Sequence, residues 1–379
     1  MGAAEQGWGA ERWIRQHPDR LFVDRACNQP FPLDLPPANR MRVHHIVVAH
    51  NIASRCEAYF GGGSSGSLMY NSDLDGKIQS DRSTCEPFQV GWLNPDRSFV
   101  HVLDDASLDI LLTARDTITD FVDYLRAKEE LLRSLRDQKT RFSYPGEEEL
   151  LAHYLLTMKD GRHGFDFPSG YDSIALEEGE WGDFEASPQR AAQEKADEIS
   201  YSWDALIETF ARNILGGTSY FTSTPRIADR EKILRFFARE PRVRRRMLTE
   251  CLYEIIAMTK LTQRGVRVML PSNPGDAYYC FLLIPRLPHQ PVDEYRTARN
   301  EMLMLHCYIV KLLYPDAEHI VGLATETGHQ VEYRSEDAFY FDTRGWTDEL
   351  AAWTRELREK HKVLINTKMG QSKVVEFPI

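Results

Sequence analysis

The sequence predicts an α+β fold: a mainly antiparallel sheet with helices in the N-terminal half, then a mixed α/β layer in the C-terminal half. Three observations predict it. Short β-branched and aromatic runs, bounded by Gly, Pro and Asn clusters, crowd the region before Asp105. Apolar residues then recur at helical spacing as far as Leu215. Beyond Met258, strand-length apolar runs alternate with further helical patterns.

Each element follows from local chemistry. Val43–Ala49 is apolar and β-branched, as a strand requires. Cys56–Phe60 and Ser67–Tyr70 flank the run Gly61–Gly66 and read as strands of a hairpin. Phe88–Leu93 and Ser98–Leu103 flank Asn94-Pro95-Asp96-Arg97, a turn in which proline supplies φ near −65°. A core helix is expected over Asp105–Lys128, with Asp116 available as a cap. Pro145 opens another, and Glu147, Glu148 and Glu149 complement its dipole.

Residues 159–190 are rich in Gly, Pro, Ser and carboxylates and read as an acidic connector. The expected division is therefore 1–158, 159–190 and 191–379. In the last part, Ile199, Trp203, Leu206, Phe210 and Ile214 share one helix face, ended by Gly216-Gly217. A helical pair over Asp229–Met258 breaks at Pro241. Strands follow at Val266–Leu270 and Ala277–Ile284. Then come a helix over Asp293–Leu313, strands at His319–Thr325 and Ala338–Asp342, and a helix over Thr347–Lys360.

Hydrophobic residues make up 42% of the chain, enough for a sizeable core. No apolar run approaches the ~20 residues of a membrane helix. Met1–Asp24 lacks the basic start and apolar stretch of a secretory signal, so a cytoplasmic protein is expected. Six cysteines lie far apart without a CxxC pair, which argues against a structural zinc site and a disulfide framework.

Four constellations bear on function. The chain carries a net charge of −11, yet residues 226–267 hold twelve cations against five carboxylates. Within them, Arg242, Arg244, Arg245 and Arg246 follow Pro241 at a helix start, where phosphate contact is the functional reading. The other reading is a helix face that pairs with the acidic remainder. Glu326, Asp337 and Asp342 fall near strand ends, where carboxylates can hold magnesium for phosphoryl chemistry; Glu336 lies beside them. Asn71-Ser72-Asp73-Leu74-Asp75-Gly76 places oxygen ligands at alternate positions, Asp73 and Asp75 among them. It resembles the start of an EF-hand calcium loop, but Arg82 stands where that loop has its bidentate Glu. An Asp-Gly turn is the competing reading.

The fourth is Arg299 and His306, two helical turns apart. Their spacing resembles the Arg-x(4–6)-His motif of HEPN ribonucleases, as does that of Arg355 and His361. The resemblance implies that His serves as acid or base on a ribose hydroxyl while Arg supports the phosphate. It also implies a dimeric, all-helical fold, whereas this helix is flanked by predicted strands. Ala196–Asp204, Ile320–Ala324 and Ser335-Glu336-Asp337 resemble segments of bacterial proteins of uncharacterised function. No GxGxxG, P-loop, HExxH or GxSxG is present. Two main expectations stand: a bacterial protein acting on nucleic acid or nucleotide phosphate, such as a phage-defence nuclease, or a non-catalytic partner or sensor subunit in a larger assembly. An enzyme acting on small metabolites is a third.

Overall fold

The computed structural model describes residues 2–61, 66–76, 86–159, 161–216, 227–328, 335–365, 370 and 375–378. Most of Gly61–Gly66, together with Arg82, Gly217 and Arg226, lies outside them. The fold is α+β, in two compact units: Met1–Glu194 together with Ile379, and Lys195–Pro378. No helix among the described residues is long and apolar enough to cross a membrane.

The first unit runs α1 (Gly2–Gln16), β1 (His45–Ala49), α2 (Ala53–Tyr59), β2 (Met69–Asn71), β3 (Gln89–Val90), β4 (Val100–Asp104), α3 (Asp105–Ala114), α4 (Ile118–Asp137), β5 (Arg141–Tyr144) and α5 (Glu147–Leu156). There follow β6 (Met158–Lys159), β7 (Arg162–His163), β8 (Ser173–Ala175), α6 (Glu180–Glu185) and α7 (Pro188–Asp197), which carries the chain across the boundary. Its strand pairing is mixed rather than mainly antiparallel. β1–β4, β2–β3 and β5–β8 are parallel, while β2–β5 and β6–β7 are antiparallel.

The difference has a local cause. The Asn94–Arg97 turn forms, with the Arg97 amide donating to the Asn94 carbonyl at 3.1 Å. Its flanking strands part, however, and β3 joins β2 while β4 joins β1. Cys56–Phe60 is mostly helix: α2 turns Cys56 inward to the Ser67 carbonyl. The expected helix over Asp105–Lys128 is broken between α3 and α4, where Thr117, not Asp116, caps α4. The acidic stretch 159–190 is built into this unit. It supplies β8, and the Gly179 and Trp181 amides donate to Glu149.

The second unit contains α8 (Tyr201–Leu215), α9 (Ile227–Arg239), α10 (Arg242–Met258), β9 (Gly265–Met269), β10 (Tyr278–Ile284), α11 (Val292–Leu313), β11 (His319–Glu326), β12 (Asp337–Asp342) and α12 (Asp348–His361). Its sheet has the order β12-β11-β10-β9, with β10 and β11 parallel and joined through α11. Alternation along β10 builds two cores. Tyr279 and Phe281 pack with Trp203, Phe210 and Phe237, whereas Cys280 and Leu282 pack with Leu303, Cys307 and Val310 of α11. Gly322 permits the close approach of α11: a Cβ there would sit 2.7 Å from both Cys307 Sγ and Leu303 Cδ1. The five cysteines among the described residues are free thiols, all buried except Cys27.

Candidate functional site

The β1–β4 ladder positions a polar centre in the first unit. Side chains alternate across it. Val47, Val100 and Val102 pack with Ala4 and Trp8 of α1. His101, wholly buried, turns toward α4, with the Phe99 ring edge-on at 4.9 Å. His44 precedes β1. Its Nδ1 lies 2.8 Å from Glu129 Oε1, and His101 Nε2 lies 3.0 Å from the same oxygen. The three potential ligand atoms all lie within 4.8 Å of one another.

Burial pushes the Glu129 carboxyl up, but hydrogen bonds from His101 and His44 outweigh it and hold the group at about 2. Burial pushes His101 below the ordinary imidazole range, against the pull of Glu129. At neutral pH the carboxylate is therefore ionised and His101 is neutral. Both rings donate N–H to Oε1, which can only accept. Among the described residues, His44 Nε2 and His101 Nδ1 have no hydrogen-bond partner.

Two imidazole nitrogens and one carboxylate oxygen form the donor set of zinc and related transition metals. Donors around a tetrahedral zinc with bonds of about 2.0 Å stand about 3.3 Å apart. Two of the three spacings here are already near that value. The His44 and Glu129 side chains keep 14% and 19% of their exposure, so the centre opens toward solvent on one side.

One residue earlier on α4, Lys128 is buried against Glu147, with Nζ 2.7 and 2.6 Å from its two oxygens. Tyr124 Oη donates to the same carboxylate at 2.7 Å. A cavity of about 10 Å³ beside this pair is lined by Tyr70, Phe99, Lys128, Tyr144 and Glu147. That is room for about one water, not a substrate. The pair is a core network behind His101.

The C-terminal carboxylates divide. Asp337 and Glu326 meet at Arg299. Arg299 Nε donates to Asp337 at 2.7 Å, Arg296 Nε donates to it at 3.1 Å, and Ser335 Oγ donates to Glu326 at 3.2 Å. Asp342 lies at the far end of β12 and binds the exposed Arg344. Guanidinium groups thus fill the places that magnesium needs, and Asp342 is too far along the strand to join. Arg299 and His306 do not form a joint acid–base pair. Both are buried, Arg299 bonds Asp337, and His306 Nδ1 is 2.6 Å from the Met302 carbonyl. Arg355 and His361 are exposed on α12.

The arginine run is not a surface patch. Arg242, Arg244, Arg245 and Arg246 are all buried. Arg242 and Arg245 share Asp204, at 2.7 and 2.5 Å. Arg245 also donates to the Ala238 and Glu240 carbonyls at the end of α9, and Arg244 to the Leu270 carbonyl. Arg246 meets Asp197 at 3.1 Å. Cations at the start of α10 oppose its dipole, and protein carboxylates compensate where a ligand phosphate was the functional expectation.

Asp73 and Asp75 have different surroundings, and the second half of the calcium-loop resemblance, through Arg82, lies outside the described residues. Asp73 is exposed, while Asp75 accepts from the Trp92 amide at 2.6 Å and from Tyr70 Oη at 3.2 Å. Asn71 caps the turn by accepting the Asp73 amide. Among the described residues, the group of three metal-ligating side chains is His44, His101 and Glu129, which sequence reasoning missed. They lie on three separate segments up to 85 residues apart, and no local spacing connects them. Comparison with protein-family models, curated proteins and solved structures finds no match for this chain.

Proposed function

We propose that the first unit holds a catalytic transition metal, with His44, His101 and Glu129 as its ligands and hydrolysis as its reaction class. One observation carries the reading: two imidazole nitrogens from separate segments converge on one carboxylate oxygen, at 2.8 and 3.0 Å. Three protein ligands leave a fourth position open, as catalytic zinc sites do and structural ones do not. A metal there lowers the pKa of bound water toward neutrality. The N/O donor set favours zinc or its neighbours over magnesium, which prefers oxygen ligands alone.

Cobalt titration of chelator-treated protein tests this. A saturable visible absorption at about one equivalent supports the site, with loss of the signal in His44→Ala and Glu129→Gln. Absence of that signal would leave Glu129 as a clamp for two histidines and remove the proposal.

A further inference from the structure

We propose that the open metal position takes an oxygen of a phosphate ester, and that Arg42 and Arg133 meet the remaining oxygens. This rests on the metal reading above and adds the substrate class.

The placement of charge leads to it. Arg133 follows Glu129 by one helical turn on α4, so the two occupy the same face. Arg42 lies two residues before His44. Both arginines are exposed, and among the described residues neither is held by a carboxylate. That distinguishes them from the buried arginines at the start of α10, each of which has a protein oxygen partner. About one turn before Glu129 on α4, Arg126 is already paired with Asp123 at 3.4 Å.

The balance of charge selects the ligand. A divalent metal with the Glu129 carboxylate leaves one positive charge, and two guanidinium groups bring two more. Such a site suits a dianion. A carboxylate ligand brings a single negative charge and neutralises less of this site than a dianion does. A phosphate monoester offers three terminal oxygens, and the guanidinium fork matches their geometry. Hydrolysis then needs only water. A water O–P bond forms as the ester P–O bond breaks; one water proton ends on the released alcohol and the other on the phosphate.

The test uses cobalt-loaded protein, with inorganic phosphate as probe and acetate as control. Phosphate should shift the cobalt spectrum saturably, and acetate should do so much more weakly. Arg133→Gln and Arg42→Gln should load cobalt normally but bind phosphate at least about tenfold more weakly, the scale of a lost charge-assisted hydrogen bond. Arg133→Lys should recover part of the loss. A normal cobalt spectrum that phosphate does not move, or that it moves equally in the arginine variants, overturns the substrate assignment and leaves the metal site standing. Failure to load cobalt at all overturns both.

Discussion

A buried histidine takes its meaning from its partner. His101 shares a carboxylate with His44, whereas His306 meets only the Met302 carbonyl among the described residues. Burial, partly opposed by that carbonyl, pushes His306 down to about 4. An unfolded imidazole titrates near 6.5. The fold therefore favours the neutral ring. Its stabilising contribution is complete above pH ~6.5 and is lost as pH falls through the window down to about 4. The second unit should lose on the order of 3 kcal/mol across that window. Denaturant melts at several pH values check this, and His306→Gln should flatten the dependence; an unchanged slope would assign it to other groups. Lys128 makes a second case. Lys128→Met leaves Glu147 charged and buried, so a loss of about 3–5 kcal/mol is expected in chemical denaturation. The sequence shows Lys128 and Glu147 only as ordinary charges on helices. Their pairing is tertiary, as is the pairing of Arg242 and Arg245 with Asp204. Counting charge finds a cationic run but not the carboxylates that occupy it.

At the scale of elements, periodicity carried the second half well. The helix starting near Pro241, the β10 and β11 runs and the long α11 all stand close to their expected bounds. Their apolar faces are long enough to fix type and orientation. Trp203 illustrates this: it lies on the expected face, 1% exposed, with Nε1 donating to the Phe237 carbonyl at 3.2 Å. Trp203→Ala should cost about 3–5 kcal/mol. Thermal and urea melts would show it, and a change below about 1 kcal/mol would mean that the Phe237 and Tyr279 contacts contribute little. The first half was less legible because its elements are short. A seven-residue segment such as α2 is too brief for period to separate helix from strand. Asn94–Arg97 forms the turn that its residues predict, but a turn does not dictate that the strands on either side pair with each other.

At the scale of the molecule, each compact unit has its own core, built on three small sheets among the described residues of the first unit and on one four-stranded sheet in the second. The residues that sequence motifs singled out in the second unit are mostly committed to internal ion pairs. The His44–Glu129–His101 centre belongs to the first unit and arises only when β4 and α4 bring distant residues together. The central claim is that this centre binds a metal. X-ray absorption at the zinc edge, on protein purified after zinc supplementation, tests it most directly. The account predicts about one zinc per chain, with two imidazoles and oxygen ligands at about 2.0–2.2 Å, and loss of that zinc in Glu129→Gln. Protein without stoichiometric zinc, or zinc surrounded by sulfur at about 2.3 Å, would contradict it.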